Sequence, residues 1–182
     1  MNNSIGHILL ILLNFPRILP HIICYMCSNN RTIIKADLLA RPTYWNLSPK
    51  EKGGMLFRPL CFSLIQEPEF RNIFYHRIGF ARHFLNILLP RISSMRLCSH
   101  IGPGFYPVHS YSTIINGRAW IGKNCSVMHN VTIGIGKGGV PTIGDNVHIG
   151  AGAIILGGIT IGNNVRIGAG AIVVEDVPDN CT

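Results

Sequence analysis

The stretch Ile143–Val174, IGDNVHIGAGAIILGGITIGNNVRIGAGAIVV, repeats a pattern of six residues without a break. A β-branched aliphatic residue begins every hexad, at Ile143, Ile149, Ile155, Ile161, Ile167 and Val173. Such residues favour short strands, while the intervening glycines and asparagines favour corners with a positive φ. A hexapeptide period indicates a parallel β-helix. We therefore expect three hexads to close a triangular coil of about eighteen residues, each coil stacked on the next.

The same pattern begins earlier in the chain, at Ile115, Ile121, Val127 and Ile133, and is interrupted by GIGKGGVPT over 134–142. Stacking at a distance of about eighteen residues places Gly150 next to Gly168 and Ala151 next to Ala169. It also places His148 next to Arg166. The prediction is a smooth strip of small residues with a polar column beside it.

The positive charge of the chain belongs to its first half. Residues 1–100 contain twelve Lys or Arg and four Asp or Glu, whereas residues 101–182 contain four of each. The basic residues are scattered, with no binding motif and no interleaved row of aromatic residues, so we expect no nucleic-acid partner.

The apolar N-terminal stretch MNNSIGHILLILLNFPRILPHIICYMC (1–27) lacks the basic start and the cleavage site of a secretory signal. Its uninterrupted apolar run ends at Leu13, short of the roughly 20 residues that a membrane crossing needs. Two interpretations stay open: peripheral contact with an anionic membrane surface, or a helix packed against its own domain or a neighbouring subunit. The six cysteines show no framework spacing, so we expect free thiols, a cytoplasmic protein (the inner membrane face being the alternative) and no metal.

The repeats resemble a known family. The segments IGKNCSVMHNVTIG (121–134) and IGDNVHIGAGAIILGGITIGNNVRIGAGAIVVEDVPDN (143–180) resemble the hexapeptide-repeat acyltransferases. Within them the chain is similar to the serine acetyltransferase group, which includes a branch in capsule and exopolysaccharide synthesis. The resemblance implies a mainly β fold, a left-handed parallel β-helix over 97–182, and a homotrimer. An α-helical, basic, partly apolar region is expected over 1–96, where EPEFRNIFYHRIG (67–79) is similar to the helices of that group.

The resemblance also implies an acetyl-CoA-dependent O-acetyltransferase, whose base would be His109 in GFYPVHSYSTIING (104–117). Histidine suits the removal of a hydroxyl proton at neutral pH. The twelve residues from His109 to Ile121 equal two hexads, which favours this role over a histidine that caps a turn. His129 lies one coil and two residues further on, and would hold the acceptor or the thioester carbonyl, or else face solvent. Glu67 would orient His109, with a backbone carbonyl as the alternative.

The donor site is predicted along the strip of small residues. The resemblance places CoA in such a groove, with Arg166 and Lys137 as candidates for its phosphates. The full predicted set is Gly134, Lys137, Gly150, Ala151, Arg166, Gly168 and Ala169. These small residues would also be needed simply to pack the coil.

The acceptor is predicted from departures from the serine acetyltransferase pattern. Val108 stands where that pattern has an aspartate, and the loop 134–142 lacks an arginine. A zwitterionic amino acid would then lack charge partners, which is costly in a cleft. We therefore expect a sugar hydroxyl, on a small or lipid-linked acceptor of surface-polysaccharide synthesis. Serine acetylation and a non-catalytic trimeric scaffold are the alternatives.

Overall fold

The computed structural model describes residues 3–41 and 56–182 and divides the chain into two units, 1–91 and 92–182. The expected boundary at 96 falls slightly later than this division, because Arg96 already pairs with Ile114 in the first coil of the second unit. An α-helical N-terminal region followed by a β-helix is confirmed.

Within the described residues the first unit, which we call the helical unit, contains six α-helices. They are α1 (Asn3–Leu13), α2 (Phe15–Cys27), α3 (Arg31–Leu39), α4 (Phe57–Gln66), α5 (Pro68–Ile78) and α6 (Arg82–Leu88), with a 3-10 turn at Gly79–Ala81. Its core is aliphatic and aromatic, built around Ile18, Leu64, Phe70, Phe74 and Leu85. None of the helices in the described ranges combines the length and apolarity needed to cross a membrane.

Two ion pairs lie among the described residues of this unit. The Nε of Arg77 donates to Oδ2 of Asp37 at 2.9 Å, and the Asp37 side chain is fully buried. Arg41 pairs with Glu67 and places its guanidinium 4.5 Å from the centre of the Phe70 ring. A buried carboxylate without its partner is strongly destabilising, so these pairs tie α3 to the segment around α5.

The second unit, the solenoid, is a stack of about four coils. Its twelve strands are β1 (His100–Ile101), β2 (Tyr106–Pro107), β3 (Ile114–Ile115), β4 (Trp120–Ile121), β5 (Ser126–Val127), β6 (Thr132–Gly134), β7 (Thr142–Ile143), β8 (His148–Ile149), β9 (Ile154–Leu156), β10 (Thr160–Ile161), β11 (Arg166–Ile167) and β12 (Ile172–Val173). They form three parallel sheets: face 1 (β1, β4, β7, β10), face 2 (β2, β5, β8, β11) and face 3 (β3, β6, β9, β12).

The hexad prediction is confirmed by the register. Ile143 pairs with Ile161, Ile149 with Ile167, and Ile155 with Val173, each eighteen residues apart. The repeat also extends further back than the sequence pattern indicated. Ile101 and Pro107 take the inward positions of the first coil, where they are buried.

Asparagines hold several corners of the solenoid. Asn124, Asn146, Asn164 and Asn180 all adopt a positive φ, between 54° and 62°. Their amides form a ladder, since Asn146 Nδ2 donates to Asn164 Oδ1 and Asn164 Nδ2 to Asn180 Oδ1, each at 3.0 Å. Asparagine tolerates the left-handed region better than most residues, so the ladder both bends and joins the coils.

In the helical unit, His21 is a buried histidine held in one tautomer. Its Nδ1 lies 2.9 Å from the carbonyl oxygen of Arg17, so Nδ1 carries the proton, and Nε2 lies 2.8 Å from the Tyr75 hydroxyl. Burial, helped by the charge of Arg71, lowers the pKa of His21 to about 4. Burial and two nearby arginines do the same to the pKa of His76.

Acidification should therefore unfold the helical unit. The unfolded chain takes up a proton on His21 near its ordinary pKa of about 6.5, whereas the folded chain resists protonation down to a pKa of about 4. Stability should fall between those two values, by up to about 3 kcal/mol for this group. Denaturant unfolding followed by helical circular dichroism should show His21→Gln to be less acid-sensitive than the parent. Equal sensitivity of both would contradict this, and His83→Gln, at an exposed position, is the control.

Candidate functional site

His109 lies in an insertion at the corner between faces 2 and 3. Pro107 pairs with Val127, twenty residues away, whereas Ile115 pairs with Ile133, eighteen residues away. The first coil therefore contains two extra residues between β2 and β3. The twelve-residue spacing from His109 to Ile121 is consequently not two regular hexads, and that part of the sequence argument was wrong.

The hydrogen bonds locate the insertion. The amide of Val108 donates to the carbonyl of Val127, as the amide of Met128 donates to that of Ile149. The amide of Asn130 then donates to the carbonyl of Tyr111. Val108 is thus equivalent to Met128, and Tyr111 to His129, which leaves His109 and Ser110 as the added pair.

The backbone of this corner is unusual. His109 has a φ of 46° and Ser112 a φ of 55°, both in the left-handed region that non-glycine residues seldom adopt. Two buried hydroxyls hold the bend: Ser110 Oγ donates to the carbonyl of Val127 at 3.0 Å, and Thr113 Oγ1 to that of Met128 at 2.9 Å. The ring of His109 is left exposed. A backbone held in this region by its surroundings is a feature of functional sites.

His129 occupies the same corner in the second coil. It lies two residues after β5, as His109 lies two residues after β2, and it is also exposed. Its carbonyl accepts from the amide of Gly152, and the carbonyl of Ala151 accepts from the amide of Gly170. The corner therefore continues through Ala151 and Ala169, so His109 and His129 share one edge of the solenoid with the predicted strip.

The small residues of that strip are not equivalent. A Cβ added to Gly150 would lie 2.6 Å from the backbone nitrogen of Ala169, so the stacking of the coils itself requires glycine there. A Cβ added to Gly168 would meet nothing within 4 Å, and Gly168, Ala169 and Gly170 are exposed. Gly168, Ala169 and Gly170 belong to the last coil of the stack, and the surface formed by Ala151 and Ala169 is the part of the strip that could admit a narrow pantetheine arm.

Arg166 precedes the last coil of this strip on β11. It pairs in register with His148, and His148 with Ser126, which gives the predicted polar column on face 2. Ser126 Oγ lies 2.7 Å from His148 Nδ1. Desolvation, and to a lesser degree the charge of Arg166, lowers the pKa of His148. The exposed guanidinium of Arg166 is well placed to meet a phosphate beside the strip.

Lys137 and Gly134 lie elsewhere on the solenoid. The loop after β6 turns back on itself, with reciprocal hydrogen bonds between Gly136 and Gly139, and it stands at the corner between faces 3 and 1. Lys137 is exposed there and its carbonyl accepts from the amide of Gly158. The structure does not bring these two residues to the corner of His109 within one chain, and their donor-binding role stays a prediction.

Glu67 belongs to the helical unit, where it directly precedes α5 and its carboxylate pairs with Arg41. Its role as the partner of His109 also stays a prediction. In the solenoid the four acids are Asp145, Glu175, Asp176 and Asp179. Three of them accept hydrogen bonds from backbone amides elsewhere in the solenoid, those of Lys123, Thr160 and Asn163. Among the described residues, no cluster of His, Cys, Asp or Glu could hold a metal ion.

Several residues of the site were missed by the sequence argument. Ser110 lies within the insertion and gives no signal in a hexad pattern, while Thr113, equivalent to Val131, is a buried polar residue at an apolar position of the hexad. Away from this corner, Trp120 was also not singled out: it is 54% exposed on face 1 and stacks on His100, with ring centres 4.6 Å apart. An exposed tryptophan at an outward position of the hexad could have been noted from the sequence.

Comparison with known proteins agrees with the repeat. Residues 141–174 match the family model of the bacterial transferase hexapeptide repeat. The serine acetyltransferase of Synechococcus elongatus is 36% identical over 138 residues, covering 68% of this chain and 54% of that protein. A putative colanic acid biosynthesis acetyltransferase of Escherichia coli K12, WcaB, is 45% identical over 84 residues, covering 44% and 51%. The chain spans 22–54% of the length of such curated relatives.

Solved structures match a larger share of the chain. The serine acetyltransferase of Neisseria gonorrhoeae, in complex with serine, has a TM-score of 0.64 and 32% identity, covering 84% of this chain and 65% of its own. The serine acetyltransferase of Brucella abortus, in complex with coenzyme A, has a TM-score of 0.61 and 25% identity, covering 86% and 66%. The stacked hexads and these likenesses together identify the chain as a hexapeptide-repeat protein of the serine acetyltransferase-like group.

Proposed function

We propose that this chain is an O-acetyltransferase that moves an acetyl group from acetyl-CoA to the hydroxyl of L-serine. One observation carries the proposal: an exposed histidine on a left-handed, inserted corner shares its edge of the solenoid with a strip of small residues. The edge thus holds a candidate base in the first coil and a candidate donor groove in the third and fourth.

The chemistry follows from these positions. Neutral His109 accepts the proton of the acceptor hydroxyl as its oxygen attacks the thioester carbonyl carbon. The carbon–sulfur bond then breaks, and the departing thiolate takes the proton from the imidazolium. His129, one coil further along the edge, is placed to orient the acceptor or the carbonyl. A positioned hydroxyl can attack the thioester directly, so no acetyl-enzyme is required.

Serine is preferred over the sugar expected from the sequence because the solved relatives that match most of this chain are serine acetyltransferases, one of them holding serine. Coenzyme A in the Brucella abortus relative supports acetyl-CoA as the donor. Arg166 would then meet the phosphates of coenzyme A beside Gly168.

The six free cysteines suit a reducing compartment, so we place the reaction in the cytoplasm.

A sugar hydroxyl is the second candidate acceptor. The residue before His109 is Val108, which is half-buried and carries no charge. Three of the solenoid's four carboxylates already accept hydrogen bonds from backbone amides elsewhere in the solenoid. No carboxylate of the solenoid is established at the His109 corner, so the ammonium group of serine would lack a charge partner from the solenoid there. A neutral sugar hydroxyl needs no charge partner. The similarity to the colanic acid acetyltransferase points in the same direction.

We also propose a homotrimer. Face 3 presents isoleucine outward in three of its four strands, with Ile114 48% and Ile172 69% exposed in a single chain. Contact between copies would remove this apolar surface from water. The likeness to trimeric hexapeptide-repeat acyltransferases supports the same arrangement.

Replacement of the base tests the reaction and the acceptor together. His109→Asn should keep the corner, since asparagine tolerates a φ of 46°, and should lower acetyl transfer by about 10²–10⁴-fold. CoA release would be measured with L-serine and with a panel of sugars. Ser112→Asn, at the neighbouring left-handed residue, is the control and should stay near the parent rate.

Undiminished activity of His109→Asn would remove the residue from the chemistry. Turnover of sugars without turnover of serine would replace the first candidate acceptor by the second. No transfer to either acceptor by the parent would leave the scaffold interpretation.

The donor groove is tested in the last coil of the strip. Gly168→Phe should fold, because a side chain there meets no protein atom within 4 Å, but it should occupy the pantetheine path. We expect CoA affinity, measured by calorimetry, to fall at least tenfold. Gly117→Phe is the matched control, since Gly117 is exposed and equally open but lies at another corner. Equal CoA affinity of Gly168→Phe and the parent would place the donor elsewhere.

A further inference from the structure

The helical unit exposes many large apolar side chains on its first two helices. The exposed large side chains are Ile8, Leu9, Leu12 and Leu13 on α1, and Phe15, Leu19, Ile23 and Met26 on α2. On α2 their spacing of three or four residues places them on one side, next to the buried Ile18 and Ile22. Single exposed apolar residues are ordinary, but a group of this size marks an interaction site.

Helix α6 adds to these exposed apolar side chains. It packs against α2, and Arg17 Nε at the start of α2 donates to the carbonyl of Leu88 at the end of α6 at 2.9 Å. Phe84 and Ile87 on α6 are 66% and 77% exposed. Helices α1, α2 and α6 thus all carry large apolar side chains outward.

Cations flank the apolar side chains. Arg82 and His83, together with Asn86, Arg91 and Tyr75, line a shallow cavity of about 130 Å³ beside α6. Among the described residues no carboxylate lines it, and residues 1–36 contain no acid at all. Over residues 1–91, eleven Lys or Arg stand against four Asp or Glu, a net charge of +7. Two of those four acids, Asp37 and Glu67, are already paired with arginine.

This combination favours one occupant. A second copy of the same surface would bring another net charge of +7 against the first, which opposes association. An anionic lipid surface accepts apolar side chains and attracts arginine. Neither helix alone is long enough to cross the hydrocarbon core of a bilayer, which is about 30 Å thick. Helices α1 and α2, of 11 and 13 residues, are only about 17 and 20 Å long. A helix pair of this length and composition suits the interface and not the interior.

We propose that the helical unit docks on an anionic phospholipid surface. The exposed side chains of α1, α2 and α6 enter the boundary between headgroups and acyl chains. Arg17, Arg82 and Arg91 meet lipid phosphates, the last two within the cavity beside α6. This inference does not depend on the identity of the acetyl acceptor.

Vesicle flotation of the full chain tests the proposal. The protein should float with vesicles that contain phosphatidylglycerol and bind at least tenfold more weakly to vesicles of phosphatidylcholine alone. Raising the salt to about 1 M should weaken binding, because exposed charges are then screened. The doubly substituted variant Leu19→Asp, Ile23→Asp should lose at least tenfold in partitioning, since both apolar side chains would enter the lipid. Arg82→Gln with Arg91→Gln should lose the preference for phosphatidylglycerol.

Ile135→Asp, at a residue 58% exposed in the solenoid, is the control and should float like the parent. Circular dichroism would establish that each variant is folded, and Phe84→Ser with Ile87→Ser replaces any that is not. Absence of parent flotation overturns the proposal. So does an unchanged preference for phosphatidylglycerol in the arginine variant. If the parent does not float and the aspartate variant sediments as a smaller assembly, the surface joins copies of the chain.

Discussion

The stacking of one coil on the next is the constraint on which the solenoid depends. Each short strand pairs in parallel with the strand one coil away, and its β-branched side chain packs on the equivalent side chain inside. A coil can lengthen only at a corner, because an extra residue within a strand would turn its inward side chains outward. The added His109 and Ser110 are therefore found at a corner, and the extended loop after β6 at another. In this fold, an insertion that interrupts the hexad repeat indicates a corner at which side chains project away from the stacked coils.

That constraint explains how the site is assembled from distant parts of the sequence. Residues at one corner of successive coils form an edge, so His109, His129, Ala151 and Ala169 become neighbours in the stack. The left-handed bend at His109 is held by hydroxyls that are themselves buried, and this fixes the backbone that carries the ring. An exposed histidine on a rigid corner, with a strip of small residues further along the edge, is an arrangement that suits the proposed direct acyl transfer.

The sequence predicted the regular part of the molecule well because the hexad reports a local repeat that the fold uses directly. The pairing of Ile149 with Ile167 and of His148 with Arg166 follows from counting alone. Where the count breaks, the pattern predicts nothing: the hexads before Ile115 were not recognised because an insertion separates Pro107 from Ile115, and only the family resemblance extended the β-helix back to residue 97. Lys137 was chosen as a cation for the CoA phosphates, yet its loop lies at a different corner from the strip. Glu67 was chosen by resemblance, and no periodicity could reveal its pairing with Arg41 in the helical unit.

The central claim is that the corner of His109 and the strip below it form one acetyl-transfer site. A crystal structure of the protein with bound coenzyme A tests this most directly. Our account predicts the pantetheine arm along the edge that carries Ala151, Gly168 and Ala169, with its sulfur directed toward His109 of the same or an adjacent chain. Coenzyme A bound along another corner, with its sulfur remote from every His109, would contradict it.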